Sequence, residues 1–98
     1  MSDVHFVWDL EDDPDGNVQH IAEHGVTMDE FQDVFINPES VDATSDSSGR
    51  PMRFGWSSTG KHLAIAWDEI QEDPHMIYPV TAFPAPPPKP PGKKRRKR

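Results

Sequence analysis

The chain has 98 residues and no cysteine, and its 17 acidic and 10 basic residues give a net charge of −7. This length predicts one domain with a small core. The lack of cysteine excludes disulfides and thiolate metal sites. The sequence has no apolar run of about 18 residues, so no membrane span is predicted. The first residues lack the basic and apolar regions of a secretion signal, so a cytoplasmic location is expected.

The acidic and basic residues are separated along the sequence. All 17 acidic residues lie between Asp3 and Asp73, and only three basic residues precede position 89, so residues 1–83 have a net charge of −14. Such a body repels phosphate chains. The basic end could bind nucleic acid, act as a nuclear address or fold back onto the acidic body. The nucleic-acid-binding candidates are Lys93, Lys94, Arg95, Arg96, Lys97 and Arg98.

The first half of the chain predicts one strand and two short helices. Alternating apolar residues predict a strand over residues 4–9. A helix is expected over residues 17–24, and Gly25 should end it in the left-handed conformation. Thr27 and Glu30 fit a capping box for the second helix. The expected buried stripe of the first helix is Val18, Ile21 and Ala22; Val26 and Phe31 are the expected hydrophobic staple of the second.

The second half predicts a β-meander. A polar loop over residues 39–51 could hold a short strand near Val41, and strands are expected near residues 52–58, 62–68 and 76–83. Pro79 removes one backbone donor, which predicts an edge strand or a bulge. Residues 1–83 therefore form an α+β domain with two helices on one face of a mostly antiparallel sheet. Residues 84–98 are proline-rich and basic and are expected to be disordered.

Two histidines on the first helix are the main candidates for chemistry. On a helical wheel Asn17, His20 and His24 lie within about 60° of one another. The histidines could pack and hydrogen-bond at the helix end, or hold one zinc ion with a third ligand such as Asp9. Alternatively they could transfer protons in a metal-free ribonuclease, which also needs a cation to stabilise the phosphorane.

The expected cations of such a site are Arg53 and Lys61. Arg53 begins a strand and has two alternatives: it could reach the open face of the sheet, or it could form a surface ion pair. Aromatic side chains could stack bases, although their alternating pattern favours core packing for the tryptophans. These aromatic candidates are Trp8, Trp56, Trp67 and Tyr78.

Four blocks in order resemble a known family. These are "FVWD", an asparagine-bearing helix ending in "HG", "VTMDEFQDVFINP" and "GWSSTGKHLAIAWDE". Across residues 4–83 they resemble the BrnT-like ribonuclease toxins of bacterial type II toxin–antitoxin systems. The matching positions are Phe6, Trp8, Asp9, Asn17, His24, Gly25, Val26, Phe35, Gly55 and Gly60.

This resemblance implies a RelE-like α+β fold, RNA as substrate, no cofactor or metal, and an antitoxin protein as partner. His24, with His20, would transfer protons, Arg53 would face the phosphate and Lys61 would be accessory. The chain departs from the family where lysines usually follow the Trp-Asp pair and precede His-Gly, because "LEDDPDG" and Glu23 stand there. The usual Ser-Ala-Arg segment and basic C-terminal helix are also absent, and the helix spacing is about one turn longer.

Two functional hypotheses follow. The chain is either a BrnT-like toxin that cleaves RNA, or a catalytically inactive acidic module on the same scaffold that binds a basic protein. No membrane partner is expected, and the sequence predicts no oligomeric state.

Overall fold

The structure, a computed structural model, describes residues 4–87 and confirms the α+β class. The candidate basic residues Lys93–Arg98 lie outside this range. The elements are β1 (Val4–Phe6), α1 (Asn17–Glu23), α2 (Met28–Ile36), β2 (Val41–Thr44), β3 (Pro51–Trp56), β4 (His62–Glu72) and β5 (His75–Pro84).

The five strands form one mixed sheet in the order β1-β5-β4-β3-β2. Strands β2 to β5 pair with antiparallel neighbours, whereas β1 pairs in parallel with His75–Ile77 of β5. The short strand near Val41 is present as β2. Strand β1 is shorter than expected, because the chain leaves the ladder after Val7 and Asp9 bonds to α1 instead.

Pro79 lies at a bulge. Trp67 pairs with Pro79 while its neighbour Ala66 pairs with Thr81, so one extra residue, Val80, stands between them. The bulge that Pro79 predicted is therefore present. Strand β5 lies between β1 and β4 in the sheet, but β1 pairs only with His75–Ile77, so β5 is also an edge at Pro79. The strand also continues to Pro84, one residue beyond the predicted domain limit.

The end of α1 and the start of α2 have the structures that their local sequences predict. Gly25 has φ of 81°, and the amides of Gly25 and Val26 donate to the carbonyls of Ala22 and Ile21, which is a Schellman end to α1. Thr27 and Glu30 form both bonds of the capping box at the start of α2. The turn between the helices is thus fixed by one glycine and one Thr/Glu pair.

The core lies between the helices and one face of the sheet. Its fully buried members include Ile21 of α1, Phe31 and Val34 of α2, and Leu63 and Ile65 of β4. The expected stripe of α1 is wrong in two positions, because Val18 is only half-buried and Ala22 is exposed. Helix α1 has only two turns and packs mainly against β5. Few of its side chains therefore reach the core.

The opposite side of the sheet is called here the open face. Strand pairing places two rows of side chains on it across β3, β4 and β5, with Trp56 and His62 paired beyond the second row. These rows are Met52, Ala66 and Thr81, and Phe54, Ala64 and Phe83. In the part of the chain that the structure describes, both helices pack on the other side.

Candidate functional site

The two candidate histidines lie together at the edge of the open face. A hydrogen bond of 3.1 Å joins His20 Nε2 to Thr81 Oγ1. The rings of His20 and His24 are 5.3 Å apart and nearly perpendicular, and His24 lies 6.3 Å from the ring of Phe83. Both histidines are exposed. The i, i+4 spacing thus forms an accessible imidazole pair beside a hydroxyl.

Asn17, the third polar residue on this side of α1, is a structural clamp. It is 3% exposed, and its amide nitrogen donates to the carbonyls of Val7 (3.0 Å) and Pro79 (2.9 Å). Its Oδ1 accepts from the Asp9 amide, and its own backbone amide donates to Asp9 Oδ2, each at 2.9 Å. These bonds join β1, α1 and the bulge of β5, and they leave Asn17 no free group for chemistry.

Glycine at position 16 makes this clamp possible. A Cβ atom there would lie 2.6 Å from the Cβ of Asp9, closer than two carbon atoms can approach. Sequence reasoning noted Asn17 as polar but missed its role. The sequence signal that could have revealed this role is a glycine just before the helix followed by an asparagine as its first residue, which here lies eight residues after Asp9.

The structure does not bring Arg53 to the histidines. Arg53 pairs across the sheet with Ile65, so it points to the helix side, and the open-face alternative is wrong. Its guanidinium carbon lies 4.6 Å from the ring centroid of Phe35 and 5.2 Å from that of Trp67. It also donates to the Phe35 carbonyl and to Asp42 Oδ1 (2.6 Å). Arg53 therefore stabilises the end of α2, and the alternative of an ion pair is present.

Lys61 lies closer to the histidine helix but is already engaged. Its ammonium donates to the Gly25 carbonyl at 2.8 Å, one residue after His24, and to Glu30 Oε1 at 3.2 Å. Of the four predicted catalytic residues, the structure thus brings His20 and His24 together. It places Lys61 next to the turn that follows them and Arg53 on the other side of the sheet.

Glu30 is the buried carboxylate to which Lys61 binds. It is 4% exposed and accepts from the Thr27 amide (3.1 Å) and from Thr59 Oγ1 (2.6 Å). Burial by itself raises the pKa of Glu30, but the bonds from Thr59, Thr27 and Lys61 together outweigh it, so the pKa lies below the ordinary value. Glu30 therefore stays ionised and links α2 to the β3–β4 turn.

Tyr78 is surrounded by carboxylates next to the histidines. Its hydroxyl donates to Asp9 Oδ2 at 2.5 Å. This bond, with burial and the charges of Asp9, Asp13 and Asp68, raises the pKa of Tyr78 to about 12. The bonds from Tyr78 and Asn17 in turn lower the pKa of Asp9. A shallow cleft beside them is lined by Asp15, His20 and Tyr78.

We call Asp9, Asp13, Asp15 and Asp68 the acidic face. Residues 4–87 contain 16 acidic and three basic residues, a net charge of −13. Each of these three basic residues is paired with a carboxylate: Arg50 with Asp68 (2.7 Å), Arg53 with Asp42 (2.6 Å) and Lys61 with Glu30 (3.2 Å). Within the described range, every cation is thus partly neutralised, and the field beside His20 is negative.

The aromatic candidates divide between core and surface. Trp67 is 3% exposed and lies 4.8 Å from Phe35, and Trp8 packs 5.5 Å from Phe31, as core packing predicts. Trp56 differs, because it is 49% exposed. Tyr78 is half-buried. An exposed tryptophan is therefore available for stacking, but it lies in a different groove from the histidines.

Among residues 4–87 no group of three or more His, Asp or Glu side chains is arranged to hold a metal ion. None of the helices in that range is long and apolar enough to cross a membrane. No protein-family model matches the chain, and neither a curated protein nor a solved structure does.

Proposed function

We propose that this chain is a protein-interaction module whose acidic face binds a basic segment of a partner protein. The observation that carries the proposal is the pairing of Arg50, Arg53 and Lys61 with carboxylates in a body of net charge −13. A phosphate chain would find little positive charge here, whereas lysines and arginines would find an acidic surface on which Arg50 neutralises only Asp68.

Hydrogen bonds hold the carboxylates of the acidic face in place before a partner binds. Asp9 is held by Tyr78 and Asn17, so its position is set by the fold. Asp13 and Asp15 belong to the loop before α1, and the backbone bonds of Asp13 to Leu10 and of Gly16 to Asp13 shape that loop. A basic partner would therefore meet carboxylates whose spacing is largely formed before it arrives.

The antitoxin that the BrnT-like resemblance implies is one chemically suitable partner. A toxin of RelE-like fold without its basic residues would keep the surface for its antitoxin while losing affinity for RNA. The layer of two helices on one side of the sheet supports this part of the proposal. The toxin assignment itself rests on the ordered sequence blocks across residues 4–83.

Ribonuclease activity is the second candidate, and one observation favours it. The exposed pair of His20 and His24 beside Thr81 offers two imidazoles, the side chain that most often serves as general acid or base. Its test is cleavage of single-stranded RNA by the full chain, compared with the His20→Ala/His24→Ala variant. The matched control is His5→Ala, because His5 is also exposed but lies on β1.

The test of the interaction module is a binding titration with a fluorescent hexa-arginine peptide. The Asp13→Asn/Asp15→Asn variant should bind roughly 5-fold more weakly than the unmodified chain, since two exposed charge pairs contribute about 1 kcal/mol. The matched control is Asp29→Asn/Glu72→Gln, which removes the same charge from two exposed sites elsewhere. Equal weakening by both variants would contradict a defined acidic face, as would the absence of any binding at low salt.

A further inference from the structure

Exposed apolar side chains concentrate at one end of the open face. Val41 is 64% exposed and Trp56 is 49% exposed. Together with Phe54, His62 and Pro86 they line a depression of about 300 Å³, which we call the aromatic groove. The rings of Trp56 and His62 lie 4.9 Å apart. Trp56 also borders a second depression that contains Ile36, which is 64% exposed.

An apolar surface of this kind marks a place where another chain segment binds. The two depressions join across Trp56, so the apolar surface continues from Pro86 to Ile36. Carboxylates stand at its rim, because Glu39 lines the first depression and Asp33 the second. A segment that combines apolar and basic residues fits both features.

The residues that follow β5 run along the edge of this groove. After β5, the amide of Ala85 donates to the His62 carbonyl (3.0 Å), and His62 Nδ1 donates to the Ala85 carbonyl (3.1 Å). These two bonds hold the chain along the start of β4, and Pro86 then forms part of the groove wall. The next residues in the sequence are Pro-Lys-Pro-Pro-Gly, residues 88–92, followed by six basic residues.

Proline-rich chain binds well in grooves lined by aromatic rings, since its extended helix is already formed and little entropy is lost on binding. Five residues in this conformation span roughly 16 Å at about 3.1 Å each. Pro86 and Trp56 line the same depression, so the segment that follows starts beside the ring that it would cover. The lysine at position 89 would also bring a positive charge to the acidic rim.

We propose that residues 88–92 of this chain bind intramolecularly in the aromatic groove, over Trp56. The inference goes beyond the proposed function, because it concerns an apolar groove at the β2 side of the sheet and not the acidic face beside α1. The groove would then be an internal docking site, which an outside proline-rich segment could reach only by displacing residues 88–92.

The first test uses the full ¹⁵N-labelled chain and its Pro88→Ser/Pro90→Ser/Pro91→Ser variant, which keeps every charge. We expect the indole N–H signal of Trp56, assigned with Trp56→Phe, to shift by more than a linewidth. The indole signals of Trp8 and Trp67 serve as internal controls and should not move, since both side chains pack against or within the core.

The reciprocal test substitutes the groove. Trp56→Ala should shift the amide signals of Lys89 and Gly92, whereas Ile70→Ala should not, although Ile70 is equally exposed at 48%. Unchanged signals in both tests would overturn the proposal. Shifts that disappear on dilution would also overturn it, because the occupant would then be the same segment of a second copy. None of these substitutions alters a charge or a residue of the acidic face. A negative result would therefore count against the docked segment without bearing on the proposed function of the acidic face.

Discussion

Replacement of Glu30 should destabilise the domain more than replacement of any exposed acidic residue. The Glu30 side chain is 5% exposed and accepts hydrogen bonds from the Thr27 amide, the Thr59 hydroxyl and the Lys61 ammonium. Glu30→Ala removes all three bonds at the point where α2 meets the β3–β4 turn. The matched control is Asp29→Ala, because Asp29 lies in the same first turn of α2 but is exposed.

The expected loss in the free energy of unfolding is about 2–3 kcal/mol. The bond from Thr59 to a carboxylate contributes roughly 1.5 kcal/mol, and the capping bond from Thr27 roughly 1 kcal/mol. The Lys61 pair adds at most about 0.5 kcal/mol, since the lysine side chain is 46% exposed and water replaces its partner. Asp29→Ala removes only a favourable charge at the helix N-terminus and should cost about 0.5 kcal/mol.

Urea denaturation of the full chain followed by tryptophan fluorescence measures both variants. A loss of about 2 kcal/mol corresponds to a fall in Tm of roughly 8–16 °C for a domain of this size. Equal losses of free energy in Glu30→Ala and Asp29→Ala would show that the buried hydrogen bonds of Glu30 contribute nothing to stability.

The stabilisation by Glu30 should also depend on pH in a defined direction. Because the folded pKa of Glu30 lies below the ordinary value of 4.5, the folded state favours the ionised carboxylate. Its contribution is therefore complete above pH 4.5 and declines as the pH falls through the lower folded pKa. The stability difference between the unmodified chain and Glu30→Gln should accordingly shrink in acid. A difference that grew in acid would contradict the assigned hydrogen bonds.

Two further predictions concern the residues around α1. Asn17→Ala should lower the free energy of unfolding by roughly 2–4 kcal/mol, because the buried carbonyl of Pro79, the half-buried carbonyl of Val7 and one backbone amide lose their bonds to Asn17. Gln19→Ala, on the exposed side of the same helix, should cost under about 0.5 kcal/mol in the same denaturation assay. The phenol of Tyr78 should titrate with a pKa of about 12 by ultraviolet absorbance, and Asp9→Asn should bring the pKa back towards 10. A Tyr78 pKa that stays unchanged in Asp9→Asn would contradict the bond between the two side chains.

Local signals in the sequence predict the helix ends well. Gly25 and the Thr27/Glu30 pair act within a single turn, so their effect on the backbone is the same whatever surrounds them. The bulge at Pro79 is predictable for the same reason, since a missing amide interrupts a ladder in any sheet. These features need no knowledge of distant contacts.

Features that depend on distant contacts could not be predicted. Nothing near Val4 indicates that β1 pairs in parallel with a strand some 70 residues later. The sequence left open on which face Arg53 lies, because its side is set by pairing with Ile65, and two aromatic rings of other elements hold it there. Asn17 is similar, because its partners at positions 7 and 79 meet only in the folded chain.

The candidate site shows the same division. The helical spacing of His20 and His24 predicts that the two rings meet, and they do, but the sequence does not reveal that Thr81 and Phe83 lie opposite them. The acidic character of the chain is readable from composition. Its concentration around Tyr78 is not, because Asp68 comes from the distant strand β4.

An NMR titration of the full ¹⁵N-labelled chain at low salt distinguishes the interaction module from the ribonuclease, with hexa-arginine and a single-stranded RNA hexamer as the two probes. We expect the peptide to shift the amide signals of Asp13 and Asp15, and RNA to leave the signals of His20 and His24 unchanged. Shifts of His20 and His24 with RNA, and none at the acidic face with the peptide, would contradict the interaction module and favour the ribonuclease.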